Sequence, residues 1–537
     1  MTGQRDFSLL VAFGTDMGNA EDAAMTFAET VATIGVEAEA VELNQLDVAE
    51  LQSATHFVVV CSTFGEGEFP DNAELFWEAL SADDAERLEH LSFAVLALGD
   101  ISYEFFCNAG KLLDERLEAL GATRLIDRVD VDGSYEQPAK AWTTDLVKLL
   151  QSTRTPSATE TAPPELSPPP SRDRHLPVDA RLVVNRRLTS PQSDREVRHY
   201  ELDLTGCGID YCAGDSIAVH VKNDPDLVDA ILAHLGVGRE QAIADHAEPL
   251  GVLLSERFEI RTPSRALQSL VAARTADTEA AAALSADAVA APGSWAYGKD
   301  VLDLLGLADV TVDELLDTLR PLQFRDYSIA SSPLVHPDHV HLTVATVRYD
   351  AGVRRHGGVA STYLADRGDV VAVHLRPNHT FRLPAADVPI VMIGPGTGIA
   401  PFRAFLQERR ASAAPGRSWL FFGDRRRATD FLYGEELEDF VESGTLTKLD
   451  LAFSRDRPGD GPKEYVQQRM WENSAELFSW LQDGAYVYVC GDEKRMAKDV
   501  NETLHRIVAA EGDLDAASAH AYVNDLVKTH RYVRDVY

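Results

Sequence analysis

Basic residues are scarce in this sequence. Its 537 residues include 50 Lys and Arg against 86 Asp and Glu, a net charge of −36. So acidic a chain repels phosphates instead of releasing their counterions, which excludes nucleic-acid binding. The same repulsion excludes an anionic membrane surface. Long apolar runs are also missing: no uncharged stretch approaches the roughly 18–20 residues of a membrane span. The opening MTGQRDFSLLVAFG runs almost directly into an apolar strand. It lacks the pattern of a secretory leader, so a cytoplasmic location is expected. Cysteines are few and scattered: Cys61, Cys107, Cys207, Cys212 and Cys490. There is no C-x-x-C and no H-E-x-x-H, which argues against a disulfide framework, an iron–sulfur cluster or a zinc site. With 45% hydrophobic and 25% charged residues the chain is globular. Its length suggests roughly three or four domains.

The charge is unevenly spread. Residues 1–150 hold 29 acids and 8 bases, a net of −21, and all later residues together carry −15. The first domain therefore has either a docking face for a basic partner or simply the background acidity of its source. Residues 151–177 contain seven prolines among Ser, Thr and Glu, a linker composition that cannot bury a core. Before it, strand-like SLLVAFG, HFVVVCSTFG and SFAVLALGD alternate with amphipathic helical stretches, predicting a doubly wound parallel sheet. After it, RLVVNRRLTS, VRHYELDL and DSIAVHVK read as antiparallel strands, and the pattern resumes with FRDYSIASSP, HVHLTVATVRY and DVVAVHLR. These segments, 178–223 and 321–385, predict a β-barrel interrupted by an Ala- and Leu-rich helical insert over 224–320. From 386 to 537 strand–helix alternation returns, predicting a second open parallel sheet. The fold class is thus multidomain α/β plus β-barrel.

Open parallel sheets bind ligands beyond the carboxyl ends of their strands. Three loops occupy such positions in the first domain. GTDMGNA (Gly14–Ala20) opens a helix with small residues whose N–H groups suit an anion. It lacks the Lys of a nucleoside-triphosphate loop, so a monophosphate fits better. STFGEGEFPDN (Ser62–Asn72) and LGDISYEFF (Leu98–Phe106) each offer an aromatic, Phe64 or Tyr103, against which a flat ring could stack. Later in the chain, Arg325-Asp326-Tyr327-Ser328 and GGVAST (Gly357–Thr362) pair an arginine fork with a helix start, a combination suited to a pyrophosphate. Gly394-Pro-Gly-Thr-Gly398 lies between an apolar strand and a helix, where its glycines admit a dinucleotide to the backbone.

LGDISYEFFCNAGK, FRLPAADVPIVMIGPGTGIAPFRAF, LDLAFSRD, YVCGDEKRMAKDV and RYVRDVY occur in this order. By these stretches the chain resembles the diflavin reductases over essentially its whole length, with a flavodoxin-like FMN domain followed by a ferredoxin–NADP⁺ reductase-like half. Within that family the resemblance is strongest to the flavoprotein subunit of NADPH-dependent sulfite reductase. The resemblance implies FMN, FAD and NADPH as cofactors. FMN would be held by Thr15, Asp16, Met17, Gly18, Asn19, Ala20, Ser62, Thr63, Phe64, Gly65, Glu66, Leu98, Gly99, Asp100, Tyr103, Phe106, Cys107 and Asp130. Met17 replaces a small hydroxylic residue usual before Gly18, and Asp16 adds a negative charge beside the phosphate loop. FAD would be held by Arg325, Tyr327, Ser328, Thr343, Ala345, Tyr349, Gly358, Val359, Ala360, Ser361 and Tyr537. NADPH would be held by Gly396, Thr397, Arg403, Ser454, Arg455, Lys463, Tyr465, Gln467, Asp492, Met496 and Asp499. Ser328, Cys490, Asp535 and Tyr537 would support hydride transfer, the last by covering the FAD ring and swinging aside.

The resemblance further implies an electron path from NADPH through FAD and FMN to an acceptor on another polypeptide. The acceptor it favours is a siroheme and iron–sulfur sulfite reductase subunit. A reductase of haem monooxygenases, or of another redox protein, is the alternative. The linker suggests an FMN domain that alternates between FAD and acceptor. The first strand begins by residue 7, which leaves little room for the N-terminal extension that the family uses in oligomerisation.

Overall fold

A computed structural model describes residues 7–15, 18–65, 67–101, 105–133, 135–153, 176–285, 294–351, 354–456 and 463–537. The backbone divides into two units, Met1–Asp173 with Val527–Thr529, and Arg174–Leu526 with His530–Tyr537.

The first unit contains β1 (Leu9–Gly14), β2 (Ala40–Glu42), β3 (His56–Ser62), β4 (Ser92–Gly99), β5 (Thr123–Arg124) and β6 (Val129–Asp132). They form a parallel sheet in the order β2-β1-β3-β4-β5, with β6 also beside β4. Strand alternation sorts the residues of β3 between two cores. Val58 and Val60 join Phe27 and Trp142 on one face, and Phe57, Val59 and Cys61 join Phe76 and Leu113 on the other. Each such side chain contributes about 1.5–3 kcal/mol on full burial. A sheet apolar on both faces must carry helices on both. That pins the chain direction and brings the carboxyl ends of β1, β3 and β4 to one edge. The strand order reverses between β1 and β3, so the three loops predicted to bind a ligand issue from the switch point. Buried Asp114 pairs with Arg124 at 2.8 Å and with Arg128 at 2.9 Å.

The second unit begins with β7 (Val178–Arg187), β8 (Glu196–Asp203), β9 (Ser216–His220), β10 (Arg325–Ser328) and β11 (His339–Thr346). It continues with a hairpin of β12 (Arg348–Ala351) and β13 (Arg354–Gly357), then β14 (Val370–Arg376). Six of these strands form an antiparallel sheet, β10-β9-β14-β7-β8-β11. Just past β10, Ala330 N–H donates to His341 O of β11 at 2.8 Å and brings the two ends of the sheet together. Between β9 and β10 the chain makes helices, including Pro225–Leu235, Arg265–Arg274, Val301–Leu305 and Val312–Thr318. Asp224, Ser264, Asp300 and Thr311 cap these four, and Asp300 and Thr311 do so through reciprocal capping boxes. The helices enclose an aliphatic core of their own, built on Val228, Ile231, Leu254, Leu267 and Leu304.

The chain ends in a second parallel sheet: β15 (Ile390–Ile393), β16 (Ser418–Asp424), β17 (Lys448–Phe453), β18 (Tyr486–Gly491) and β19 (Tyr532–Val536), in the order β17-β16-β15-β18-β19. After β15 the chain turns to β16 on one side, while β18 flanks it on the other. The loop after β15 therefore opens on the switch point. No described helix is long and apolar enough to cross a membrane.

Candidate functional site: two flavin sites and a nucleotide loop

In the first unit, the helix Asn19–Ala32 starts from Gly18, which adopts φ 77°, and no side chain caps it. A helix start of this kind favours an anion. Thr15 lies beside it. Its N–H donates to Asn72 Oδ1 at 2.8 Å, and its hydroxyl is buried without a hydrogen-bond partner. A buried orphan hydroxyl at an uncapped helix start fits a phosphate group. Gly14 is required here, because a Cβ would lie 2.8 Å from Ala73 Cβ and 2.9 Å from Cys61 Sγ. Asp16 and Met17 lie outside the described residues, as do Glu66 and Tyr103.

The loop after β3 folds back on itself. Phe64 N–H donates to Glu68 O at 2.9 Å, and Gly67 N–H returns to Phe64 O at 3.0 Å, with Gly65 at φ 53°. This tight turn carries Phe64. Ser62 ends β3, and the Thr63 hydroxyl accepts from Ala109 N–H at 3.1 Å, tying the loop to the helix Asn108–Ala119. The loop after β4 starts at Leu98, Gly99 and Asp100. Gly99 has no room for a Cβ, which would stand 2.8 Å from Cys107 N. Cys107 is itself left-handed, at φ 55°, and its thiol points to Ala97 O at 3.4 Å. Burial pushes that thiol up to about 12, so it is an inert packing group. Lys111 stands over the Phe106 ring at 5.3 Å, and Asp130 pairs with Arg128 at 2.6 Å. Two apolar side chains of this rim, Ile101 and Phe105, are 63% and 50% exposed. No motif in the sequence singles them out.

In the second unit, the carboxyl ends of β10, β18 and β19 meet. Ser328 Oγ donates to Asp535 Oδ2 at 2.6 Å, and Cys490 Sγ lies 3.7 Å from the same oxygen. Burial raises the Asp535 carboxyl and pushes the Cys490 thiol well up, so Cys490 is no thiolate nucleophile. The Tyr537 hydroxyl is 2.7 Å from Thr397 Oγ1 while its side chain is 62% exposed. Thr397 belongs to the glycine loop after β15, whose glycines are sterically forced. A Cβ on Gly398 would lie 2.0 Å from Cys490 O, and one on Gly394 would lie 2.4 Å from Gly398 O. Gly396 adopts φ 59°. The loop thus forms a bare backbone cradle beside Cys490, which fits a dinucleotide pyrophosphate.

Arg325 is 42% exposed and bonds Gln323 O at 2.8 Å and Phe324 O at 3.1 Å, with Glu259 Oε2 at 3.4 Å. Tyr327 is half-buried two residues on. The helix Val359–Asp366 starts at Gly358 without a side-chain cap, and Ser361 Oγ accepts from Val347 N–H at 3.1 Å. A helix start without a side-chain cap suits an anion, and with Arg325 it fits the FAD pyrophosphate. Tyr349 stacks on His356 at 5.5 Å and donates to Gly298 O at 2.9 Å.

Apart from Gly396 and Thr397, the residues expected to hold NADPH lie in several places. Ser454 and Arg455 follow β17, where Arg455 Nη1 pairs with Asp194 at 2.7 Å. Lys463 and Tyr465 are exposed near the start of the helix Val466–Glu472. Farther along, Gln467 Nε2 donates to Asp499 at 2.8 Å, and Asp492 caps its own turn through the N–H groups of Arg495 and Met496. Arg403 and Thr343 take a different place. The guanidinium of Arg403 donates to Ala330 O, His341 Nδ1 and Glu436 Oε2, at 2.6, 3.0 and 2.7 Å. The Thr343 hydroxyl meets Tyr433 OH at 2.7 Å, which meets His199 Nδ1 at 2.9 Å. These groups, with Ala345 packed nearby, form a buried layer between β8–β11 and the last sheet. Burial pushes His199 down to about 4. His199, Glu201 and His341 have metal-ligand spacing. However, Arg403 donates to Nδ1 of His341, so a neutral ring carries its proton on Nε2 and has no lone pair there for an ion.

Arg195 also belongs to this region, although no sequence motif contains it. It lies in the loop between β7 and β8, and its Nη1 would be 3.5 Å from a Cβ on Gly396. It donates to Asp424 Oδ1 at the end of β16 at 3.1 Å. Asp194 beside it bridges Arg425 and Arg455, each at 2.7 Å.

Comparison with known proteins matches these regions. Residues 11–142 match the family described as flavodoxin, 170–272 and 296–363 the FAD binding domain, and 392–502 the oxidoreductase NAD-binding domain. A sulfite reductase [NADPH] flavoprotein alpha-component from Bacillus subtilis is 42% identical over 98% of this chain and 89% of its own length. Its counterparts from Aliivibrio fischeri and Vibrio cholerae are each 40% identical over 98% of this chain, covering 89% and 87% of theirs. The chain belongs to the sulfite reductase flavoprotein alpha-component family. As a member it is a flavoprotein oxidoreductase with FMN, FAD and NADPH as its cofactors. In this flavoprotein the first unit corresponds to the flavodoxin match, and the second to the FAD- and nucleotide-binding matches.

Proposed function

We propose that this chain takes electrons from NADPH through FAD and FMN and delivers them to a siroheme and iron–sulfur protein that reduces sulfite to sulfide. The observation that carries the reading is the Ser328–Asp535–Cys490 cluster beside the glycine loop and Tyr537. Hydride and single-electron chemistry is supplied by the cofactors, while the chain contributes placement and electrostatics. Thr15 and the start of the helix Asn19–Ala32 hold the FMN phosphate. Phe64 and the backbone from Leu98 to Asp100 border the FMN ring. Arg325 and the N–H groups after Gly358 hold the FAD pyrophosphate, and Tyr327 flanks the FAD ring. Gly396 and Thr397 receive the pyrophosphate of NADPH. Ser454, Arg455, Lys463 and Tyr465 surround its 2′-phosphate, two cations and two hydroxyls that favour it over NADH. Ser328 and Asp535 orient the hydride acceptor, and the Tyr537 side chain covers it until the nicotinamide arrives.

The chain works in the cytoplasm. Without cluster-binding cysteine motifs it passes its electrons on and does not reduce sulfite alone. Its acidic first unit steers a basic partner, so electron delivery slows as salt rises. The reading is tested by mixing the purified flavoprotein with a siroheme and iron–sulfur sulfite reductase subunit. NADPH oxidation that requires both sulfite and the partner is expected. Absence of sulfite-dependent turnover, with the flavins still reducible by NADPH, would overturn the choice of acceptor.

A further inference from the structure

Arg425 follows β16 and Arg455 follows β17. Arg455 N–H donates to Arg425 O at 2.8 Å, so the two loops run side by side. Asp194 lies between the two guanidiniums. Its Oδ1 is 2.7 Å from Arg425 Nη1, and its Oδ2 is 2.7 Å from Arg455 Nη1. Asp194 does not belong to this sheet. It comes from the β7–β8 loop of the antiparallel sheet, 261 positions before Arg455. That loop is anchored on both sides of Asp194 by other groups. Ser190 N–H donates to Thr429 O at 2.8 Å, and the Ser193 hydroxyl donates to buried Asp430. Arg195 N–H donates to Ser193 Oγ at 3.0 Å, and its side chain reaches Asp424 at 3.1 Å. The hydrogen bond from Arg425, reinforced by the one from Arg455, holds the Asp194 carboxyl below the usual range, so it is an anion at neutral pH.

A carboxylate that gives one oxygen to each of two arginines occupies them as a phosphate would. A phosphate monoester carries a charge of about −1.5 to −2 at neutral pH. To reach Arg455 it must displace this half-exposed carboxylate or sit beside a like charge, and either costs affinity. We propose that Asp194 is a specificity-determining residue, an internal stand-in for the 2′-phosphate of NADPH that occupies Arg425 and Arg455 until the nucleotide displaces it. Its carboxylate restrains the affinity for 2′-phosphorylated nucleotides. A nucleotide without that phosphate leaves both ion pairs intact and is indifferent to Asp194. The inference deepens the reading of Arg455 as a 2′-phosphate contact and rests on it.

Calorimetric titration of the oxidised full chain tests it, with 2′,5′-ADP, which carries the 2′-phosphate, and 5′-AMP, which does not. Asp194→Asn is expected to bind 2′,5′-ADP roughly five- to tenfold more tightly at low salt, the scale of two exposed ion pairs. The gain shrinks as salt rises, and the affinity for 5′-AMP stays that of the wild type. Asp194→Ala removes the carboxylate without offering the arginines an amide, and shows the same pattern. Unchanged or weaker 2′,5′-ADP binding in both variants overturns the proposal. So does an equal change for the two ligands, which marks a merely structural effect. If Arg455→Gln binds 2′,5′-ADP as the wild type does, the assignment of the 2′-phosphate to Arg455 fails, and the inference falls with it.

Discussion

Ser328 at the end of β10 and Asp535 near the end of β19 share a 2.6 Å hydrogen bond across 207 positions of sequence. The bond ties β10 of the antiparallel sheet to β19, the last strand of the second parallel sheet. It thereby fixes a hydroxyl and a buried carboxyl at one point.

Ser328→Ala removes the hydroxyl and leaves Asp535 buried with Cys490 as its remaining side-chain partner. A hydrogen bond to a charged group is worth about 1.5–3 kcal/mol. The rate of FAD reduction by NADPH, measured by stopped flow, is expected to fall roughly 10–100-fold on that basis. FAD content measured on the same preparation separates a slower hydride step from loss of the flavin.

Tyr537 is 62% exposed; its hydroxyl meets Thr397, its N–H donates to Gly491 O at 3.1 Å, and its carbonyl accepts from Glu493 N–H at 3.3 Å. If it covers the hydride-transfer site as proposed, deleting it opens that site to nicotinamide. The ratio of kcat/KM for NADPH to that for NADH is expected to drop by about tenfold, mainly through gain with NADH, a change of about 1.4 kcal/mol. An unchanged ratio in the truncated protein would show that Tyr537 does not gate the site.

Ser328 and Tyr537 are both legible in the sequence, and so are the glycine-rich loops. Tight backbone approach restricts residue type locally: Gly14, Gly99, Gly394 and Gly398 have no room for a Cβ. The linear segments around Ser328, Cys490 and Asp535 are legible as family motifs, and the fold brings them together. Arg195 is not legible. It comes from a β7–β8 loop some two hundred residues ahead of the glycine loop that it reaches, and nothing local marks it. Arg403 follows that loop by only a few residues, yet its guanidinium turns to Glu436, Ala330 and His341. Which face of a helix turns inward there depends on the barrel packed against it, information that no short motif contains.

Asp114 is the buried centre of an ion-pair group with Arg124 and Arg128, and Arg128 also pairs with Asp130 of β6. Removing the buried carboxylate takes from both arginines their shared partner and leaves Arg124 with Glu118 and Arg128 with Asp130 alone. Asp114→Ala is expected to destabilise the first unit by about 3 kcal/mol, read from the urea midpoint of FMN release. A midpoint within experimental error of wild type would contradict the pairing.

Glu42 at the end of β2 is buried, and burial pushes its carboxyl up from 4.5 to about 7. A hydrogen bond to Asn72 opposes that shift and Glu21 reinforces it. Between these two values the folded state binds the proton more tightly than the unfolded chain. Stability therefore falls as pH rises through that window. The loss at most approaches about 3 kcal/mol. Glu42→Gln is expected to flatten this part of the stability profile, as measured by urea unfolding monitored through FMN release. The same slope in both proteins would show that another group is responsible.

Anaerobic addition of NADPH to the purified chain, with the flavins then extracted and separated, tests the account most directly. FAD and FMN in equal amounts, both bleached by NADPH, are predicted. A protein that holds FAD alone, or whose FMN stays oxidised under excess NADPH, would contradict an electron path through both flavin sites.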